Sequence, residues 1–186
     1  MKEDYMDISL SRKVWWGYIH EDLRELLLQS LLLVKTAEMW EKDLSASVTY
    51  DSFKRHKFHD YSFIVFPAAK AYEGFLKKMF LDLGFITNED FYGKRFRVGK
   101  ALNPALEAEF REREGVYDKV VKFCGGNEIA ERLWMTWKEC RNLLFHWFPN
   151  ETNAITLDDA RKKVDMVITT IDFAFRECKI EGKRIS

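Results

Sequence analysis

The chain has little proline and little cysteine, and it has no excess of charge of either sign. Its 30 basic and 30 acidic side chains give a formal net charge of zero, whereas a protein that coats nucleic acid non-specifically is normally basic. Only three prolines occur in 186 residues, so long helices are permitted between them. The three cysteines, Cys124, Cys140 and Cys178, are an odd and scattered set, which we interpret as free thiols in a reducing compartment.

The sequence also lacks long apolar runs. No uninterrupted apolar stretch approaches the ~20 residues that span a bilayer, and the start, MKEDYMDISLSRKVWW, lacks the apolar run and cleavage site of a signal peptide. At this length a single hydrophobic core is the usual arrangement. We therefore predict a cytoplasmic protein in which residues 1–186 form one domain, with 1–15 and 180–186 as candidate loose ends.

Four segments have the composition and periodicity of helices: 18–43, 61–83, 127–148 and 156–178. The first is leucine-rich on nearly every side, which predicts burial against several neighbours. Segment 84–103 breaks the helical pattern and contains three glycines and several basic residues. The sequence therefore predicts an all-α bundle of four to five main helices with one long basic loop.

The third predicted helix contains an arginine inside an apolar stripe. At helical spacing, the neighbours of Arg141 are all large and apolar: Trp134, Trp137, Leu144, Phe145 and Phe148. A charge in such surroundings needs a partner, because burying an unpaired charge is strongly unfavourable. Asn142 and His146 are four residues apart, so the helix would present Arg, Asn and His along one edge near its C-terminal end.

Two interpretations of these residues stand side by side. An arginine beside tryptophan can simply stack on the ring, and a histidine near a helix end is commonly structural. The alternative is cleavage of RNA by its own 2′-hydroxyl, which needs a base, an acid and a cationic donor but no metal. Histidine transfers protons near neutral pH, and arginine grips phosphate oxygens with a planar fork.

Residues 141–146, RNLLFH, have the form R-N-x-x-x-H, which resembles the R-x4-6-H motif of HEPN-domain ribonucleases. The stretch FPAAKAYEGFLKKMF is similar to an earlier helix of the RNase LS (RnlA-type) toxins, which bears an additional catalytic Glu. The resemblance implies a HEPN-like helical bundle and the catalytic residues Arg141, His146, Asn142 and Glu73. From its neighbours Lys70 and Lys77 alone, Glu73 would be an ordinary surface ion pair.

The resemblance also implies a homodimer in which two copies of the motif meet. The residues give an independent reason to expect this, since the motif holds one histidine while the reaction uses both a base and an acid. The aromatic side chains of residues 134–148 exceed what one helix face buries in a monomer, which favours packing at an interface.

Segment 92–100, YGKRFRVGK, interleaves aromatic and basic side chains. That mixture suits single-stranded RNA, whose bases stack on rings while cations track the phosphates. The candidate RNA-binding residues are Lys94, Arg95, Arg97 and Lys100; the alternative is a solvated loop tip. Residues 54–57, KRHK, form a second basic patch. His56 and His59 lack a second ligand pair at zinc-like spacing, so we expect no metal and no cofactor.

The resulting hypothesis is a metal-independent endoribonuclease of the HEPN type, acting as the toxin of a toxin–antitoxin or antiphage pair, with RNA as substrate and a cognate antitoxin as partner. The alternative is a non-catalytic HEPN module for binding or dimerisation beside a nucleotidyltransferase or another protein. A helical DNA-binding domain is disfavoured, because neither long C-terminal helix is a basic recognition helix.

Overall fold

A computed structural model describes residues 9–47, 49, 57–147, 149 and 153–180, and within these ranges all regular elements are helical. The all-α prediction is therefore confirmed. In chain order the elements are a 3-10 turn at Val14–Gly17, α1 at Glu21–Ser47, α2 at Ser62–Asp82, α3 at Asn88–Tyr92, α4 at Val98–Ala101, α5 at Ala108–Glu114, α6 at Tyr117–Phe123, α7 at Asn127–Trp137, a π-helical turn at Lys138–Asn142, and α8 at Leu157–Glu177.

Helix α2 lies at the centre of the bundle, between α1 and α8. Its residues Ile64, Ala68, Phe75 and Met79 are all fully buried. These positions recur at three- and four-residue steps, so they share one face of the helix. Burial of a side chain such as Phe75 stabilises the fold by about 1.5–3 kcal/mol. This central position makes α2 a rigid support for the polar residues on its outer face.

A buried serine explains how α2 tolerates a proline in its interior. Pro67 has no N–H and interrupts the backbone ladder. The Ser30 hydroxyl, fully buried on α1, donates to the carbonyl of Ile64 at 2.8 Å and accepts from the amide of Ala68 at 2.8 Å. The hydroxyl thus satisfies the backbone groups beside the proline, and α2 continues through Pro67.

The expectation that α1 is buried on nearly every side is wrong in part. Leu27, Leu31 and Val34 are buried, but Leu32 and Met39 are exposed. The buried residues face α2 and α8, which pack on one side of α1. Two neighbouring helices cover a stripe rather than the whole circumference of a third helix.

Segment 84–103 is more ordered than the predicted loop. Gly84 has φ of 73° and ends the preceding helix, as a glycine can at no steric cost. Helix α3 then begins at a capping box in which Thr87 and Asp90 each bond the other's backbone amide. Helix α4 follows at Val98–Ala101, and its Val98 is buried. The segment thus contains two short helices where the sequence predicted one long loop.

Parts of the candidate loose ends 1–15 and 180–186 are described, and these parts contain buried residues. Leu10 and Trp15 are buried, and the Trp15 indole donates to the Asp172 carboxylate at 3.0 Å. At the other end, Ile180 is also buried. Residues 1–8 and 181–186 lie outside the described ranges.

The interpretation of three free thiols is also wrong. Cys124 and Cys178 form a disulfide, whereas Cys140 is free and buried. Each bonded cysteine is the first residue after a helix, α6 for Cys124 and α8 for Cys178, and these helix ends meet in the fold. The 54-residue separation in sequence gave no sign of that proximity. The inference of a reducing compartment therefore loses its basis, and none of the described helices is long and apolar enough to cross a membrane.

Candidate functional site

The candidate motif begins in the π-helical turn that follows α7. In this turn the amide of Leu143 donates to the carbonyl of Lys138, five residues back, at 2.9 Å. Cys140 is buried in the core, while Arg141 and Asn142 are half-buried. Such π turns often occur at functional sites. The local effect is to turn Arg141 outward from a helix whose preceding residues are core.

Arg141 and Glu73 form an ion pair between the motif and α2. The guanidinium Nε of Arg141 lies 3.8 Å from a carboxylate oxygen of Glu73, and the two side chains are 36% and 33% exposed. The residues are far apart in sequence, and they meet because α2 packs against the π turn. The resemblance had indicated Glu73 as an additional catalytic residue, whereas its neighbours Lys70 and Lys77 predicted an ordinary surface ion pair on its own helix.

Two aromatic rings flank the guanidinium of Arg141. Its central carbon lies 5.9 Å from the centroid of the Trp137 ring and 6.0 Å from that of Phe145. Phe145 in turn packs edge-on against Phe66 of α2 at 5.4 Å. The rings and the carboxylate together limit the orientations of the guanidinium, and a fixed planar fork is what binds two phosphate oxygens well.

The structure corrects the expected position of His146. The predicted helix continued to residue 148, but the α-helical ladder ends at Trp137 and the π turn at Asn142. His146 is exposed and lies in a segment without regular structure. It therefore does not share a helix edge with Asn142, because the π turn and the bend after it remove the helical offset that the spacing assumed.

Hydrogen bonds hold the backbone around His146. The side-chain amide of Asn153 donates to the carbonyl of His146 at 3.0 Å. Close by, the amide of Ile155 donates to Asp60 at 3.1 Å and its carbonyl accepts from the amide of Tyr61 at 3.1 Å. The residues at the start of α2 thus hold the segment that contains Asn153 and Ile155. Sequence reasoning missed Asn153 and Asp60, and only the Asp60-x-Ser62 spacing at a helix start could have indicated the second.

Asp60 is held in its charged form. Burial tends to raise the pKa of its carboxyl, but the hydrogen bonds from Ser62 and from the amide of Ile155 outweigh burial and keep the pKa below its ordinary value. The Ser62 hydroxyl donates to Asp60 at 2.7 Å and the Ser62 amide at 3.0 Å. An ionised Asp60 therefore stabilises the junction behind the motif.

Cys140 precedes Arg141 but is not a candidate nucleophile. Burial raises the pKa of its thiol to about 12, and the thiolate is the reactive form. Its sulfur instead lies 3.6 Å from the carbonyl of Lys163 on α8. Cys140 is thus a core residue that attaches the π turn to α8.

The candidate RNA-binding residues all lie on the surface of segment 94–100. Lys94, Arg95 and Arg97 are exposed. Lys100 is paired with Glu114 at 2.6 Å and lies over the ring of Phe110. The predicted mixture of rings and cations is present, but Lys100 is already engaged by a carboxylate.

A close backbone approach brings this basic segment to the motif. A Cβ at Gly99 would lie 2.4 Å from Nε1 of Trp137 and 3.0 Å from its Cε2, distances that no side chain tolerates. The glycine lets α4 lie against the same indole ring that flanks Arg141. The basic segment and the candidate motif are therefore neighbours, which their separation in sequence did not reveal.

The remaining predicted features have mixed outcomes. Residues 54–56 of the second basic patch, including His56, lie outside the described ranges. Elsewhere, no group of three or more His, Cys, Asp or Glu among the described residues is placed to hold a metal ion. Among the aromatic side chains of residues 134–148, Trp137 is buried and Trp147 is 82% exposed. Residue 148 is not among the residues that the structure describes. Leu143 and Phe66 are also exposed near the motif.

The all-helical architecture is that expected of a HEPN helical bundle. Residues 44–111 match the model of a family described as RnaseLS-like HEPN, and the resemblance to HEPN domains of the RNase LS type is confirmed. The matched region includes Glu73 and the basic segment but ends before Arg141. No curated protein and no solved structure gives a significant match to the chain. HEPN domains are typically ribonuclease or toxin modules.

Proposed function

We propose that this protein is a metal-independent endoribonuclease that acts as a homodimer. The observation that carries the proposal is the Glu73–Arg141 pair. It brings together, from two separate helical elements, Arg141 of the motif and Glu73, which the resemblance had indicated as an additional catalytic residue. A guanidinium held by a carboxylate and two rings is suited to a phosphoryl group.

The reaction is an internal transfer at phosphorus. The 2′-oxygen of the RNA attacks the adjacent phosphate, the bond to the 5′-oxygen breaks, and the products are a 2′,3′-cyclic phosphate and a 5′-hydroxyl. His146 of one subunit takes the 2′-hydroxyl proton, and His146 of the other gives a proton to the leaving oxygen. The exposure of His146 supports a site completed by a second molecule.

The other candidate residues assist this transfer. Arg141 stabilises the charge that develops on the phosphorane oxygens, a contribution of about 3–4 kcal/mol when one such donor is removed from an enzyme site. Asn142 positions the phosphate, and Glu73 orients Arg141. The basic residues Lys94, Arg95 and Arg97 bind the strand beside the site.

A second exposed surface supports the dimer. Trp147 and Leu143, which follow the π turn, and Phe66 of α2 are exposed apolar side chains near the motif. Apolar side chains grouped around a functional site are typical of interaction surfaces. A symmetric contact there would bring the two motifs together.

The decisive test is cleavage of a mixed RNA substrate in EDTA by the wild-type protein and by His146→Ala. Cleavage by the wild type alone, with cyclic phosphate ends, is the expected result. His20→Ala is the matched control, because His20 is exposed and lies before α1, outside the motif. If His146→Ala cuts at the wild-type rate, the assignment is wrong. If neither protein cuts while both are folded and dimeric, the protein is a non-catalytic module.

The biological role that fits this activity is the toxin of a toxin–antitoxin or antiphage pair. Induced expression of the wild-type chain without a partner should then arrest growth, whereas expression of His146→Ala should be tolerated. Equal growth with both, at equal protein levels, would contradict the toxin role and leave the in vitro activity as a separate question.

A further inference from the structure

A cavity of about 340 Å³ lies between segment 85–101 and the C-terminal end of α5. Its lining includes the half-buried residue Phe96. The lining also includes the basic residues Arg95, Arg97 and Arg113. Its volume falls in the lower part of the range found for small-molecule sites.

The basic residues that line the cavity outnumber the acidic ones. Glu114 pairs with Lys100 at 2.6 Å and with Arg113 at 3.0 Å, so its charge is already neutralised by two cations. Asp90, the other acidic residue in the lining, is committed to the capping box of α3. Arg95 and Arg97 make no ion pair with a described residue. The cavity therefore has two guanidinium groups more than its carboxylates neutralise. These groups favour an anion that can accept two hydrogen bonds from one guanidinium through two of its oxygens.

The combination of ring and guanidinium groups narrows the ligand chemistry. A flat apolar wall binds a planar ring by stacking, and guanidinium groups bind phosphate oxygens. A nucleotide has both parts, joined by a sugar. An inorganic phosphate would leave Phe96 unused, and an apolar ligand would leave Arg95 and Arg97 unused.

The cavity lies beside the candidate motif. Gly99, next to the cavity residue Lys100, is in close contact with the Trp137 indole, and the Arg141 guanidinium lies against that same ring. The Trp137 indole thus contacts both the segment that lines the cavity and the guanidinium that would hold a phosphate of the strand. Unpaired nucleotides of single-stranded RNA can be turned out and stacked on protein side chains.

We propose that this cavity binds one unstacked nucleotide of the RNA, adjacent to the phosphate that is cleaved. The inference rests on the proposed function, because it names the part of the substrate that the site takes. The shared chemistry is that of a nucleoside monophosphate, so a free nucleotide is the other possible source of the ligand.

The test measures binding rather than cleavage, and it uses the full chain with His146→Ala so that the strand stays intact. A fluorescently labelled, ten-nucleotide single-stranded RNA of mixed sequence is titrated by anisotropy at several salt concentrations. We expect Arg95→Ala/Arg97→Ala to weaken binding at least tenfold. The slope of log affinity against log salt should fall in magnitude by roughly 0.7, as for one lost phosphate contact on a single strand.

A second variant and a control make the result specific. Phe96→Leu should weaken binding at least fivefold and leave the salt slope unchanged, because stacking is lost and no cation is removed. Arg12→Ala/Lys42→Ala removes the same charge from two exposed positions away from the cavity and should change affinity less than twofold. Equal thermal unfolding midpoints establish that all variants are folded.

Two outcomes overturn the proposal. If the cavity variants bind RNA like the control, the cavity is not a subsite for the strand. If a mixture of free nucleoside monophosphates binds, and the Arg95→Ala/Arg97→Ala change abolishes that binding without altering RNA affinity, the ligand is a free nucleotide. Since neither readout depends on turnover, failure of the subsite is distinguishable from failure of the nuclease, which the EDTA cleavage assay decides.

Discussion

Replacing Glu73 by Gln separates a structural role of the Glu73–Arg141 pair from a role in the reaction. The two side chains are about one-third exposed and 3.8 Å apart. Ion pairs at this exposure contribute about 0.2–1 kcal/mol to stability, and Gln keeps the shape of Glu. We therefore expect the free energy of unfolding to fall by at most about 1 kcal/mol.

The expected effect on the reaction is larger. If Glu73 orients the guanidinium that stabilises the phosphorane, its loss misplaces a charge-stabilising donor. Misplacement of such a group by about 1 Å can cost 10²-fold in rate, so we expect a 10- to 100-fold slower cleavage step. Arg141→Lys, which removes the planar fork, should slow that step by roughly 10²–10³-fold.

The assay is single-turnover cleavage of labelled RNA in EDTA with enzyme in excess, alongside unfolding in denaturant. Glu38→Gln is the matched control, because Glu38 forms a comparable pair with Arg161 at 3.4 Å on the surface. The double variant Glu73→Gln/Arg141→Lys should be no slower than Arg141→Lys alone, since Glu73 acts through Arg141. Equal rates for Glu73→Gln and Glu38→Gln, or fully additive losses in the double variant, would refute the reasoning.

Three further changes test other parts of the structure. Gly99→Ala should slow cleavage and lower the free energy of unfolding by about 1–3 kcal/mol, because its Cβ would lie 2.4 Å from the Trp137 indole. Gly17→Ala is the control and should have neither effect, since no atom lies within 4 Å of its Cβ. Equal cleavage rates for the two variants would contradict a role of the Gly99–Trp137 contact. Ser30→Ala should cost about 1–3 kcal/mol in denaturant unfolding, since two buried backbone groups lose their partner; an unchanged midpoint contradicts this. Asp60→Asn should destabilise the protein above pH 4, where the lowered pKa keeps the wild-type carboxyl ionised. As the pH falls through the wild-type folded pKa, that stabilisation is lost and the two unfolding curves should converge, whereas a constant gap would be inconsistent with the lowered pKa.

Periodicity was sufficient for the elements whose stability comes from one amphipathic face. The predicted helices 61–83 and 156–178 correspond to α2 and α8. Ile64 to Met79 form a buried stripe of α2, and Thr156 and Asp159 form a capping box at the start of α8. Both signals are local, because they depend on spacing within one helix. They predicted the all-α class and the central helix that supports Glu73.

Contacts between distant segments could not be predicted in the same way. The buried Ser30 hydroxyl that bridges the backbone beside Pro67 comes from another helix. The Cys124–Cys178 disulfide joins two helix ends whose meeting depends on the packing of the whole bundle. Glu73 was indicated by the resemblance to RNase LS toxins, whereas its neighbours Lys70 and Lys77 alone predicted a surface ion pair. Its contact with Arg141 depends on the packing of two separate helical elements.

The position of His146 shows what the R-x4-H spacing does and does not determine. On a continuous helix the spacing would put both residues on one edge, but the π turn ends the helix and His146 lies beyond it. Its backbone is held by Asn153, and the segment behind Asn153 is held by Asp60 at the start of α2. The ion pair with Glu73 therefore connects Arg141 to α2, and Asp60, two residues before α2, connects the segment behind Asn153 to the start of that helix. Contacts with α2 and with the residues just before it, rather than one continuous helix, link the two ends of the motif.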